Sequence, residues 1–230
     1  MTNLLDAYKG YFKTHSRFAA GEKGQALPVV TISRETGAGA ITIAELAAKR
    51  LNLRNKDKEH YPWTVFDQNL VEKMLEDHAM PATYKRFVPE DAPLFNLRSV
   101  VEEMLDLHPS DWTLVQHTTD TVLRLARHGN VIFVGRGANV ITAGLKAAFH
   151  VRLVAPLEAR IRHIAMRLQL TEQAAAAYVK ERDRARRRYV ERNFLADTDD
   201  PLQYHVTINT GLMSFDDAAG VIADGVALLK

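Results

Sequence analysis

The sequence contains no cysteine, so neither a disulfide framework nor a thiolate metal site can form. No stretch of the chain approaches the roughly 18 uninterrupted apolar residues of a membrane-spanning helix. The N-terminal segment, MTNLLDAYKGYFKTHSRFAAGEKG, also lacks the apolar core and the cleavage site of a signal peptide. From these absences we expect a cytoplasmic protein without a membrane partner.

An excess of charge of one sign is also lacking, since 30 lysines and arginines are set against 28 aspartates and glutamates in 230 residues. A net charge of +2 does not by itself indicate nucleic-acid binding. The charge is uneven, however, because arginines crowd one short segment: Arg182, Arg184, Arg186, Arg187, Arg188 and Arg192. Such a segment is either the solvated face of a helix or a site that binds an anion.

Short apolar runs alternate with helical patterns along most of the chain. Strands are predicted at residues 28–33, 63–66, 131–134, 150–154 and 204–208. Helices are predicted at residues 41–51, 111–128, 171–195 and 215–229, with another beginning at Pro156. This alternation predicts an α/β fold with a doubly wound parallel sheet.

Two segments are predicted to lie outside this sheet. Residues 1–26 have the pattern of an amphipathic helix and a glycine-containing linker, so we expect a helical extension before a single domain at residues 27–230. Residues 68–109 contain helical patterns that are broken at Pro81, Pro89 and Pro93, and they predict a helical insert.

The first predicted strand ends at a glycine-bearing turn, Arg34-Glu35-Thr36-Gly37-Ala38-Gly39. In the phosphate-loop pattern G-x-x-x-x-G-K-[ST], backbone N–H groups hold phosphates, the lysine reaches the outer ones and the hydroxyl binds magnesium. With Gly39 as the second glycine, Arg34 replaces the first glycine, Ala40 the lysine and Ile41 the hydroxyl residue. The turn is therefore either plain architecture or a site where N–H groups and arginines bind an anion.

Asp67 and Glu35 are the acidic residues nearest the expected carboxyl edge of the sheet. Either can orient an acceptor or a magnesium-bound water, and either can equally be a helix N-cap or the partner of an arginine. The histidines show no metal-ligand spacing and are interpreted as surface or packing residues. No residue is therefore assigned as a metal ligand.

Six segments resemble, in the same order, the cytidylate-kinase-like family of P-loop proteins. They are VVTISRETGAGAITIAELAAKRL, VFDQNLV, VIFVGRGANVI, HVRLVAPLEARIRHI, ERDRARRRYVERNF and YHVTINTGLMSFDDA. The resemblance runs from about residue 28 to the C-terminus. It implies a nucleoside-monophosphate-kinase-like fold with a helical acceptor-binding insert (68–109) and a basic helical lid (171–195). It also implies ATP and Mg²⁺ as cofactors.

The resemblance further implies roles for individual residues. Arg136 would contact the phosphate of an acceptor nucleotide. Asp67, from its place at the sheet edge and not from the resemblance, is the candidate for orienting the acceptor. Arg182 and Arg186 of the lid would close over the transferring phosphoryl group. The donor phosphates would be bound by the following residues: Arg34, Gly37, Ala38, Gly39, Ala40 and Arg160.

Two departures from the family's pattern concern the acceptor. Gly137 stands where cytidylate kinases have an aspartate. Arg186 stands where the lid of those enzymes has a second aspartate. Both changes remove contacts that select cytosine, so CMP is not the acceptor we expect.

Two classes of function remain open. The first is a kinase that transfers the γ-phosphate of ATP to a nucleoside monophosphate or a similar small acceptor. The second is a nucleotide-binding or regulatory protein on the same fold that is impaired in catalysis. The missing loop lysine favours the second class, and the arginine-rich lid favours the first. Nucleic-acid binding through the arginine helix is a weaker third interpretation, because the rest of the sequence is not basic.

Overall fold

The structure, a computed structural model, describes residues 27–54, 62–67, 111–135 and 137–229. The predicted N-terminal extension and the predicted insert therefore lie outside the described residues, and so does Arg136. None of the helices in these described ranges is long and apolar enough to cross a membrane.

Five parallel strands form one sheet, as the alternating pattern predicts. The strands are β1 (Val29–Arg34), β2 (Thr64–Asp67), β3 (Val131–Val134), β4 (Ala148–Val154) and β5 (Val206–Asn209). The helices are α1 (Ala40–Arg54), α2 (Asp111–His128), α3 (Ala138–Ile141), α4 (Leu157–Leu168), α5 (Glu172–Phe194) and α6 (Phe215–Ala227), with a 3₁₀ turn at Pro201–Gln203. The doubly wound α/β fold is thereby confirmed. Helix α3, which is only one turn long, was not predicted from the sequence.

The strand order β2-β3-β1-β4-β5 places β1 at the centre of the sheet. The chain adds β3 on one side of β1 and β4 on the other, and every pair is parallel. In open sheets of this kind, ligands bind beyond the carboxyl ends of the strands where the strand order reverses. The turn after β1 lies at that point.

One face of the sheet is covered by α1 and α6. Ile32, Val151 and Leu153 point to this side and are almost fully buried. Small residues on the helices, such as Ala44 and Ala219, let the helices approach the strands closely. The Ser214 side chain accepts a hydrogen bond from the Asp217 N–H (3.1 Å) and caps the N-terminus of α6.

The opposite face has a second apolar core, in which Phe66 and Phe133 pack beneath α2. The helices α4 and α5 pack on each other through a separate small cluster of Ile164, Ala175 and Val179. Thr171 caps α5 by accepting a hydrogen bond from the Ala174 N–H (3.3 Å). The paired helices bring the basic segment to the carboxyl edge of the sheet.

Candidate phosphate-binding site

The turn after β1 is shaped by Gly37. Its φ of 90° lies in the left-handed region, and a Cβ at this position would stand 2.6 Å from the backbone oxygen of Arg160. Glycine permits both the conformation and the close approach of α4. The Ala38 N–H donates to the Glu35 backbone oxygen (3.2 Å), and the Glu35 N–H donates to the Leu153 oxygen (3.0 Å). The turn is thus fixed against β4 as well as α4.

Two arginines from different helices meet at this turn. Arg160 of α4 is buried, its Nε lies 3.3 Å from Glu35 Oε2, and its Nη1 donates to the Thr36 oxygen at 3.4 Å. Arg186 of α5 donates through Nη1 to the Arg34 backbone oxygen (3.3 Å) and to Thr36 Oγ1 (3.1 Å). The structure therefore brings together three residues that the sequence analysis assigned to the site: Arg34, Arg160 and Arg186.

The carboxylate of Asp183 lies between these two arginines. Its Oδ2 accepts from Arg160 Nη1 (2.6 Å), and its Oδ1 accepts from Arg186 Nη1 (2.9 Å) and from the Thr36 N–H (2.7 Å). Burial alone would raise the pKa of Asp183. The hydrogen bonds from Thr36 and the two arginines outweigh that effect, and the pKa lies below its ordinary value. The carboxylate is therefore ionised at neutral pH.

Two further side chains support the turn from outside. His163 Nδ1 lies 2.7 Å from the Gly37 oxygen. Thr210, just after β5, donates through its hydroxyl to the Ala38 oxygen (3.2 Å). From the sequence, His163 was interpreted only as a surface or packing residue, and nothing in its spacing indicated this contact.

A cleft opens beside the turn, between the carboxyl ends of β1 and β3 and the C-terminal half of α5. Gly135 (φ 92°) allows the Arg34 guanidinium to lie across the end of β3, since a Cβ would stand 1.7 Å from Arg34 Nη1. Arg136 is the next residue, and its predicted contact with an acceptor phosphate stays a prediction. Polar residues that line the cleft include Thr31, Ser33, Arg34, Asn139, Arg186 and Thr198.

Asp67 and Arg182 lie near the same edge of the sheet. Asp67 ends β2, and β3 separates this strand from β1. The guanidinium of Arg182 lies 5.2 Å from the centre of the Tyr178 ring, one helical turn before Arg186. Arg184 and Arg188 are exposed, whereas Arg182 and Arg186 are partly buried. One row of the basic helix therefore faces the protein, and another faces solvent.

The side chains at the turn do not fit a magnesium ion held by the protein. The Glu35 carboxylate and the Thr36 hydroxyl are already engaged by arginines. Ala40 and Ile41 carry no ligand atom on their side chains. The part of the chain that the structure describes has no group of three or more His, Asp or Glu residues that could hold a metal ion.

A second buried arginine lies behind the cleft. Arg152 of β4 donates through Nη1 to Ser33 Oγ (3.2 Å) and through Nη2 to Asp199 Oδ1. The other oxygen of Asp199 accepts from Arg187 of α5 (2.8 Å). This arrangement anchors the segment after α5 to the sheet.

Asp183, Arg152 and Asp199 were not among the site residues predicted from the sequence. A signal for Asp183 was present, because it is an acid within the arginine run and lies three residues before Arg186, on the same helical face. A signal for Arg152 was its position inside the apolar strand HVRLV. Asp199 carried no signal, since its role depends on how the chain folds back after α5.

Comparison with solved structures supports this fold. An uncharacterized protein from Eubacterium ventriosum ATCC 27560 matches with a TM-score of 0.64 and 16% sequence identity, over 87% of this chain and 99% of that one. TT1252 from Thermus thermophilus matches with a TM-score of 0.52 and 17% identity, over 90% of this chain and 100% of that one. At such low identity these likenesses show the fold alone.

Comparison of sequences gives a more specific result. No curated protein matches the chain. The model of the cytidylate kinase-like family, in contrast, matches residues 29–212, which span β1 to the end of β5 and include the turn, both arginine-bearing helices and the cleft. The chain therefore belongs to the cytidylate kinase-like family, a family of nucleotide-binding phosphotransferases.

Proposed function

We propose that this protein transfers the γ-phosphoryl group of ATP to a nucleoside monophosphate or a similar small phosphorylated acceptor. The observation that carries the proposal is the convergence of Arg160 and Arg186 on the glycine turn. Each arginine comes from a different helix, and both lie at the carboxyl edge of the sheet. They supply positive charge where the loop lysine is missing.

For phosphoryl transfer, a protein mainly has to position two substrates and neutralise the charge on the transferring phosphoryl group. ATP, when bound, supplies the phosphoryl group. Guanidinium groups suit the protein's part, because they donate two parallel hydrogen bonds to phosphate oxygens and keep their charge. In this proposal Arg160 and the turn hold the donor phosphates, while Arg182 and Arg186 neutralise the transferring group.

In this proposal the phosphate end of the acceptor lies at the cleft beside the turn. Ser33, Asn139 and Thr198 offer hydrogen-bonding groups there, and Arg34 adds a positive charge. Arg136 binds the acceptor phosphate, and Asp67 orients the acceptor from the end of β2. The cleft and the turn share Arg34 and Arg186, so donor and acceptor would meet at these two residues.

A second candidate function is nucleotide binding without catalysis. The specific observation in its favour is the Asp183 carboxylate on the Thr36 N–H, where a donor phosphate would be expected. Ala40 stands where the phosphate loop has its lysine, and this change also favours nucleotide binding without catalysis. A regulatory protein of this kind binds nucleotides but transfers no phosphoryl group.

A transfer assay separates the two candidates. The protein is incubated with γ-labelled ATP and a panel of nucleoside monophosphates, with and without magnesium, after a thermal-shift screen has identified stabilising ligands. If the parent transfers the phosphoryl group and Arg186→Ala lowers the rate by about 100-fold or more, the result supports the kinase. The loss of one donor that stabilises charge in the transition state lowers a rate by about that factor.

Arg188→Ala is the matched control, because Arg188 lies on the same helix and is exposed. It should keep its activity within about twofold of the parent, the range expected for a surface residue. Nucleotide binding without transfer to any acceptor would favour the second candidate. An equal loss in the two variants would contradict the role assigned to Arg186.

A further inference from the structure

The Asp183 carboxylate makes the contacts that a bound oxyanion would make. It accepts hydrogen bonds from one backbone N–H of the turn and from two guanidinium groups, at distances of 2.6 to 2.9 Å. A backbone N–H together with arginines is the usual donor set for a phosphate group. A carboxylate from the chain itself thus uses the donors that we expect a ligand to use.

Asp183 neutralises the arginines around it only in part, and Glu35, 3.3 Å from Arg160, and Asp199, which pairs with Arg152, supply further negative charge nearby. Burial is the main cause that lowers the pKa of Arg186, and Asp183 opposes it. Arg152 and Arg182 lower the pKa of Arg186 further, because all three carry positive charge close together. A dianion at this position would be held more strongly than the single charge of Asp183.

We propose that Asp183 holds the place of a ligand phosphate, and that a phosphate group binds the turn by displacing this carboxylate from the Thr36 N–H, Arg160 and Arg186. This inference deepens the proposed function. It rests on that function in one respect, since in the kinase reaction the displacing phosphate would belong to the nucleotide donor. The binding step itself requires only an oxyanion. Because arginines provide the charge, the displacement needs no magnesium.

The helix geometry allows this exchange. Asp183 lies three residues before Arg186 on α5, so rotation of the Asp183 side chain can move its carboxylate away from the turn and leave the Arg186 guanidinium in place for the phosphate. The helix itself stays attached through the apolar cluster of Ile164, Ala175 and Val179. No rearrangement of the sheet is required.

The test measures the binding of inorganic tripolyphosphate by calorimetry, in EDTA, without any nucleotide. Asp183→Asn removes the competing charge and keeps the size of the side chain. We expect it to bind tripolyphosphate at least about tenfold more tightly than the parent, a change equivalent to about 1.4 kcal/mol. Unchanged or weaker binding by a folded Asp183→Asn protein would overturn the proposal, and so would the absence of binding in both proteins.

Asp199→Asn is the matched control. Asp199 also bridges two arginines, Arg152 and Arg187, but it does not contact the turn. Its affinity for tripolyphosphate should stay within twofold of the parent. An equal gain in tripolyphosphate affinity in Asp183→Asn and Asp199→Asn would mean that the loss of any acidic charge promotes binding. That result would also overturn the proposal.

A second measurement uses the unaltered protein, in case Asp183→Asn does not fold. Carboxyl carbons are followed by NMR with ¹³C-labelled aspartate from pH 7 downward, with and without tripolyphosphate. Displacement should raise the pKa of Asp183 from its lowered value to or above the ordinary one, because it loses its donors and gains an anionic neighbour. A pKa that stays lowered while tripolyphosphate is bound would overturn the proposal.

These results are separable from the proposed function. Tighter tripolyphosphate binding by Asp183→Asn, without phosphoryl transfer by any variant, would support the exchange and contradict the kinase. Transfer activity in the parent, with unchanged tripolyphosphate affinity in Asp183→Asn, would support the kinase and contradict the exchange.

Discussion

The two faces of the central strands β1 and β4 are both buried, and they differ in chemistry toward the carboxyl ends of the strands. Ile32, Val151 and Leu153 point toward α1 and α6 and belong to a large apolar core. On the other face His150 and Arg152 are also buried, but each has a polar partner.

Within the same two strands, the apolar residues contribute mainly to stability, and the polar residues lie near the candidate site. A parallel sheet covered on both sides ordinarily has nearly continuous apolar strands. The polar face interrupts that rule beside the cleft and next to Arg186. One face is therefore apolar, while the other adds charged groups near the candidate site to its own apolar core.

The largest expected effect tests the apolar face. Ile32→Ala should lower the free energy of unfolding by about 3 kcal/mol, because it opens a cavity at a fully buried position. Ser33→Ala, one residue further along β1 and on the polar face, should cost only about 1 kcal/mol through its lost hydrogen bond to Arg152. Urea denaturation of both variants measures the contrast. Equal costs would mean that the two faces contribute alike to stability.

The next prediction, of intermediate size, concerns how the stability of the polar face depends on pH. His150 is buried, and its Nδ1 lies 2.8 Å from the Thr31 hydroxyl. Burial, with a smaller contribution from the charge of His205, lowers the pKa of His150 to about 4. The unfolded chain then takes up a proton at His150 before the folded protein does. Stability linked to His150 is therefore complete above pH 6.5 and is lost as the pH falls toward 4.

The expected loss between pH 7 and pH 4.5 is about 2 kcal/mol. His150→Gln carries no titrating group, so denaturation curves of this variant should depend less on pH over that window. The same pH dependence in the variant would assign the effect to other groups.

Much of the fold could be predicted from the sequence because strand and helix signals along this chain are strong and local. The run VIFV and the β-branched residues before the turn mark strands, and Gly129 and Ser214 mark helix boundaries. The strand ends differ by one or two residues from the prediction, as with β5, which runs from Val206 to Asn209. The short helix α3 was missed because one turn has no periodicity to detect.

The candidate site could be predicted only in part. Arg34, Arg160 and Arg186 were assigned through motifs, and the structure brings them to one turn. The place of Asp183 could not be predicted, since its contact with Thr36 spans 147 residues of sequence. A contact of this range depends on how α5 lies over the sheet, and no local pattern encodes it.

The smallest expected effect concerns the ion pair between Arg152 and Asp199. The Arg152 side chain is 8% exposed and that of Asp199 is 46% exposed, so water screens one end of the pair. We expect a double-mutant cycle with Arg152→Met and Asp199→Asn to give a coupling energy of about 1 kcal/mol, between the values for surface and buried pairs. Arg152→Met keeps much of the side-chain volume, so little of its cost should come from a cavity. A coupling near zero would mean that Arg152 is held by Ser33 and by the Tyr204 ring, whose centre lies 5.8 Å from the guanidinium carbon. A coupling above about 3 kcal/mol would mean that the pair behaves as fully buried, and that the polar face contributes to stability as strongly as the apolar one.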